Sequence, residues 1–132
     1  MLIPATRYRD PETALAFLRD VLGLEEHAVF RDEGGAVVHA QMRCGTGLVM
    51  FGPDDENAFG RLMAAPADIG GRETTTIYAV VDDVTARHDR AVAGGAAVVM
   101  PLEAQPHGGR SFTVADPEGH IWTFGDYDPT AG

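Results

Sequence analysis

Cysteine is nearly absent from this chain. Cys44 stands alone and has no intrachain partner for a disulfide, so nothing in the cysteine content points to an oxidising compartment. A lone thiol of this kind is read as a small, partly buried hydrophobe. No apolar run approaches the ~20 residues of a membrane-spanning helix. The first residues lack the basic region followed by an apolar stretch that directs secretion, and a cytoplasmic location is the expectation. Cations are scarce too: 10 Lys and Arg stand against 20 Asp and Glu, for a formal net charge of −10. That field opposes phosphate backbones and anionic lipid, which argues against nucleic acid or a membrane as partner and leaves a cationic small molecule open.

Metal-clamp spacing is missing as well. His27, His39, His88, His107 and His120 show neither His-x-His nor the i, i+4 pair of a helical clamp. Each is read as structural, with His88 on a helix surface and His120 leaving a turn.

What the chain does have is regular punctuation. Its 132 residues, 45% of them hydrophobic, with Gly 16 and Pro 8, suit one ordered domain rich in turns. Leu2 to Arg9 reads as a strand. Asp10 and Pro11 then open a helix, with Ala14, Phe17, Leu18 and Val21 as its apolar stripe and Gly23 as its stop. Three extended runs follow, Glu25 to Arg31, Ala36 to Arg43 and Gly47 to Gly52, divided by turn-like glycines. Pro53 to Glu73 is polar and long for a connection, and is read as a linker. The pattern then recurs: strand Thr74 to Val81, helix Val84 to Ala93 capped by Asp82-Asp83, and strands around Ala96 to Met100, Arg110 to Ala115 and His120 to Gly125. Asp10 and Asp83, Phe51 and Phe124, and Gly52 and Gly125 are each 73 positions apart. The chain therefore reads as one domain, 1–132, of two βαβββ modules at about 1–52 and 74–126, joined by the linker 53–73.

Three stretches carry a family resemblance: Asp10 to Gly23, Val81-Asp82-Asp83-Val84, and Asp116-Pro-Glu-Gly-His-Ile-Trp-Thr-Phe-Gly125. With them the chain resembles the vicinal oxygen chelate superfamily of glyoxalases, bleomycin-resistance proteins and extradiol dioxygenases. The resemblance implies an α+β fold of two βαβββ modules, their curled mixed sheets forming a cup with the helices on the convex side. In catalytic members a divalent metal sits in the cup, held by His or Gln on the first strand of each module and Glu on the last. Carried over by motif position, those places here hold Ile3, Thr76, Met50 and Thr123, none of which a hard or borderline cation selects. A slip of one residue brings no His, Asp or Glu. The expectation is a protein with no metal and no cofactor, leaning away from enzyme, and closest to bleomycin-resistance-like or PhnB-like relatives.

Strand alternation gives a candidate lining. Ile3, Ala5, Thr76, Tyr78, Met50, Ile121 and Thr123 share the inward face. If Asp116 to Gly119 form the hairpin turn, Phe112 faces Thr123 and Arg110 faces Gly125. The repeat then sets His39 opposite Met50. The candidate ligand-binding residues are thus His39, Met50, Tyr78, Arg110, Phe112 and Thr123, an apolar cup with a few polar groups that suits an aromatic or amphipathic molecule. Trp122, Phe51 and Phe124 alternate out of it and are assigned to the core. Three functions are open: a metal-free protein that sequesters an antibiotic or other aromatic or cationic natural product, as in self-resistance, for which the resemblance to the bleomycin-resistance branch implies a homodimer; a glyoxalase-like lyase or isomerase that uses unrecognised ligands or His39 as a metal-free base; or a metal-free relative resembling the PhnB-like group, with a structural or regulatory role.

Overall fold

A computed structural model of the chain describes residues 1–131. Asp10 accepts the Thr13 N–H at 3.0 Å and Pro11 takes the first helical position, so α1 (Pro11–Asp20) starts where the sequence sets it. Gly23 leaves it at a φ of +77°, which a side chain would strain. β1 (Ala5–Tyr8) precedes the helix; β2 (Glu25–Arg31), β3 (Val37–Cys44) and β4 (Gly47–Pro53) follow. The second module repeats the order with β5 (Ile77–Val80), α2 (Val84–Ala93), β6 (Ala97–Ala104), β7 (Arg110–Ala115) and β8 (Ile121–Gly125). Asp83 stands at the N-cap of α2 without bonding the backbone there. Its carboxylate instead takes the Arg87 guanidinium one turn on, at 3.0 Å.

Each module makes a four-stranded mixed sheet, ordered β1-β4-β3-β2 and β5-β8-β7-β6. β1 runs parallel to β4 and β5 to β8, while the other pairs are antiparallel. The parallel ladders repeat at the same offset of 73, Ala5 opposite Met50 and Tyr78 opposite Thr123. The fold is the α+β pair of βαβββ modules that the sequence implies.

The helices bury Ala14, Leu15 and Leu18 of α1 and Val84 and Ala91 of α2. Beneath them lie Ala40, Met42, Val49 and Phe51 in one sheet and Phe112, Val114 and Phe124 in the other. One contiguous core runs through both halves, and each large side chain removed from water there contributes about 1.5–3 kcal/mol. Trp122, Phe51 and Phe124 are all buried in it.

The seam between modules is polar and specific. Asp116 is buried, and its carboxylate accepts the Tyr8 phenol at 2.5 Å, the Trp122 indole at 3.1 Å, and the N–H groups of Glu118 and His120 at 3.0 and 2.9 Å. Burial, and then the Asp116 charge, hold the Tyr8 phenol protonated far above the ordinary tyrosine range. Glu118 takes the N–H groups of Arg9 and Asp10 at the entry to α1. At the other end, Arg87 donates to the Leu22 carbonyl and Arg90 to those of Asp20 and Arg19. An anion at the start of α1 and cations at its end are the arrangement the helix dipole favours. Among the described residues no helix is long and apolar enough to cross a membrane.

Candidate functional site: two open concave faces

The concave face of each sheet is the one its helix does not cover, and the ladders say which side chains share it. In the first module, Ala5, Met50, Gln41 and Ala28 form one cross-strand row, Arg7 stands opposite Gly52, and His39 opposite Phe30. Val49 and Phe51, which alternate with Met50, are in the core. Gln41 rather than His39 therefore opposes Met50. The shift is two residues, so His39 keeps the face expected of it, and its Nε2 meets the Gln41 amide at 3.1 Å. His39, Met50, Ala5, Arg7 and Gly52 line a cleft of about 420 Å³, closed on one side by the segment after β4 through Phe59.

The second module departs from expectation by one residue. Ala115 pairs with Ile121, Thr113 with Thr123 and Phe112 with Phe124. The reason lies in the turn. The Asp116 N–H donates to the His120 carbonyl at 2.8 Å and its carboxylate captures the His120 N–H, so Asp116 and His120 face each other with three residues between them. A one-residue slip exchanges the faces of a strand. Phe112 is consequently buried, its ring 5.5 Å from Phe124 and 5.2 Å from His88 of α2. Arg110 shares that side and donates to Thr85 in the first turn of α2 at 3.1 Å. Neither faces the cup. The residues that do are Thr113 and Thr123, hydroxyl to hydroxyl at 2.7 Å, together with Ser111 and Tyr78. Tyr78 lies over Gly125, where any side chain would collide with its hydroxyl, and donates to the Tyr127 carbonyl at 2.7 Å.

Of the six residues chosen from sequence, the structure brings His39 and Met50 together on one module and Tyr78 and Thr123 together on the other. Phe112 and Arg110 fall outside both faces. Arg7 and Gln41 were missed although alternation from Ala5 and His39 reaches them. Phe59 sits in irregular chain, where no periodicity applies.

The donor set does not fit the family's metal. Ile3 precedes β1, Met50 lies between Ala5 and Gln41 and Thr123 between Tyr78 and Thr113, so Gln41 is the one residue of a ligand type there, and among the described residues no group of three His, Cys, Asp or Glu is disposed to hold an ion. A wider cleft of about 570 Å³ lies between the modules beside His120. There His120 is bonded to Glu73 at 3.1 Å and to the Arg7 carbonyl at 3.1 Å, so both of its ring nitrogens have partners within the protein.

Both concave faces stand open in the single chain. Phe30 is 53% exposed on one and Met100, opposite Thr113, is 56% exposed on the other.

Comparison with known proteins agrees with this architecture. An uncharacterized protein of Mycobacterium bovis is 40% identical over 91 residues, 69% of this chain and 59% of that protein. For an uncharacterized Mycobacterium tuberculosis protein the same match covers 53% of the relative, so this chain spans little more than half the length of the curated relatives it matches. Among solved structures, TioX from Micromonospora sp. ML1 superposes with a TM-score of 0.73 at 30% identity, over 94% of this chain and 95% of that one. TnmS3, an antibiotic binding protein from Streptomyces sp. CB03234, has a TM-score of 0.67 at 18% identity over 93% of this chain and 91% of that one, a likeness of fold alone. The model of the Glyoxalase/Bleomycin resistance protein/Dioxygenase superfamily matches residues 4–124, the span of both modules almost end to end, and the chain belongs to that superfamily.

Proposed function

We propose that this protein binds a small organic molecule, an antibiotic or a similar aromatic or cationic natural product, and sequesters it unchanged and without metal. The observation that carries the reading is the concave face of the first module, where Met50 occupies the metal-ligand position and sits in a cleft with Ala5, Arg7 and His39. Such a surface offers apolar area and a few hydrogen bonds, which hold an amphipathic guest, and Met50 there is a ligand that a hard or borderline cation does not select. His39 is partnered by the Gln41 amide, and among the described residues no carboxylate is bonded to it to favour a general base. The antibiotic-binding role of TnmS3, on the same fold, supports the reading.

The working unit in this proposal is a homodimer. Each chain presents two half-cups with exposed apolar residues, and a contiguous exposed patch of that kind is a surface for association. Setting the first module of one protomer against the second module of its partner encloses a site with His39 and Met50 on one wall and Tyr78 and Thr123 on the other.

Native mass spectrometry of the full chain, purified without chelator and incubated with a panel of aromatic antibiotics, tests both parts. The expected result is a dimer with no tightly held divalent ion that retains a panel member at its original mass. One metal per chain, or a bound product of altered mass, would overturn sequestration. A monomer that retains ligand would overturn the shared cup alone.

A further inference from the structure

The segment joining the modules does more than connect them. After β4 the chain does not leave the first sheet. The Asp54 N–H donates to the Tyr8 carbonyl at 2.8 Å, and Asn57 accepts the Gly60 N–H through its side chain at 2.8 Å. Gly60 permits the fold-back because a Cβ there would land on the Asp55 carbonyl. The loop so built carries Phe59 to the rim of the first cleft.

Phe59 meets a partner there. The Arg7 guanidinium lies 5.2 Å from the centre of the Phe59 ring and donates one hydrogen bond, to the Pro53 carbonyl at 3.0 Å. A guanidinium carries five N–H donors in a planar fork, so most of them stay available to a guest. Among the described residues Arg7 has no carboxylate partner, although Asp55 lines the same cleft. Gly52, opposite Arg7, leaves the floor between them clear of side chain. Met50 and His39 complete the wall. The arrangement is a flat cation held over an aromatic ring beside an apolar floor.

We infer that this cleft takes a planar aromatic ligand bearing a carboxylate, its ring between Phe59 and Met50 and its carboxylate on the fork of Arg7. The inference rests on the binding function proposed above and narrows it. Phe59 supplies area that any aromatic uses, whereas Arg7 selects the anion, since paired N–H donors match two carboxylate oxygens and repel an ammonium. The net charge of −10 pulls in the opposite direction, which makes ligand charge the discriminating variable.

The experiment titrates the full chain with two probes of one ring system, naphthalene-2-carboxylate and naphthalen-2-ylmethylammonium, and follows backbone amides by NMR. The carboxylate is expected to shift the amides of Arg7, His39, Met50 and Phe59 and to bind about tenfold more tightly than the ammonium, the span of one charge-assisted hydrogen bond. Arg7→Gln should remove that preference. Phe59→Ala, at an exposed position that leaves the core intact, should weaken both probes about fivefold and Phe59→Trp should not. Equal or tighter binding of the ammonium at these amides would overturn the inference and leave the binding function standing. Shifts centred on Tyr78 and Thr123 would overturn the placement, and failure of both probes at millimolar concentration would overturn it outright. The binding function itself is judged separately, by the intact-mass experiment.

Discussion

His39 and Phe112 hold the same place in the repeat, 73 positions apart on the third strand of each module, and they point to opposite faces. His39 lines the open cleft of the first sheet, while Phe112 is buried beneath α2. The hairpins explain the reversal. Cys44 pairs with Gly47 across a two-residue turn, whereas Asp116 and His120 enclose three residues. With a side-chain period of two, one extra residue in a turn is enough to exchange what a strand shows to the helix and what it shows to the cup. The first module thereby shows a polar pair, His39 and Gln41, on its open face. The second turns Phe112 and Val114 of the equivalent strand into the core and shows Ser111 and Thr113 on its open face.

The most severe way to break the comparison is to remove the device that lengthens the second turn. In Asp116→Ala the Tyr8 hydroxyl, the Trp122 indole and two backbone N–H groups lose their acceptor in buried surroundings. Stability measured by urea denaturation should fall by about 3–5 kcal/mol, the range for a buried polar network broken at its centre. A loss below about 1 kcal/mol would mean that Asp116 does not set the register.

A sharper, smaller test pairs the two repeat mates. Phe112→Ala should cost about 3–5 kcal/mol, as large buried rings do. His39→Ala should stay within about 0.5 kcal/mol in the same measurement, because it opens no cavity. Similar losses at the two sites would show that the strands present the same face after all.

The mildest test addresses the seam. Arg87 couples α2 to the end of α1 through the Leu22 carbonyl and to Asp83 through a salt bridge. Arg87→Ala should destabilise by about 1 kcal/mol at low salt, and the difference from the parent chain should shrink in 0.5 M NaCl.

The sequence made most of the fold legible, since each helix announces itself by an acidic cap, the first also by an apolar stripe, and each strand by its turns. α2 and β7 occupy the spans read for them, Val84–Ala93 and Arg110–Ala115. The concave faces were legible where the register depended on parity alone, at Met50, Thr123 and Tyr78. They were not legible where it depended on a turn whose length is fixed by a side chain: nothing in the string Asp116-Pro-Glu-Gly-His says that the carboxylate will reach past Gly119 to the His120 N–H. Phe59 escaped for a different reason. It faces the cleft because a loop folds back through Asn57 and Gly60, and irregular chain has no period to read.

The grip of the second module on α1 has a consequence for how the molecule comes apart. Both ends of that helix are tied to the other half, the two residues leading into it by Glu118 and the carbonyls at its end by Arg87 and Arg90. Neither half can open without breaking these bonds at a helix whose apolar face is still covered, so partial unfolding along the line of the repeat is the costly route. Slow-exchanging amides in α1 and in β8 should report one shared opening, and a gene cut at the linker should yield fragments that need each other to fold.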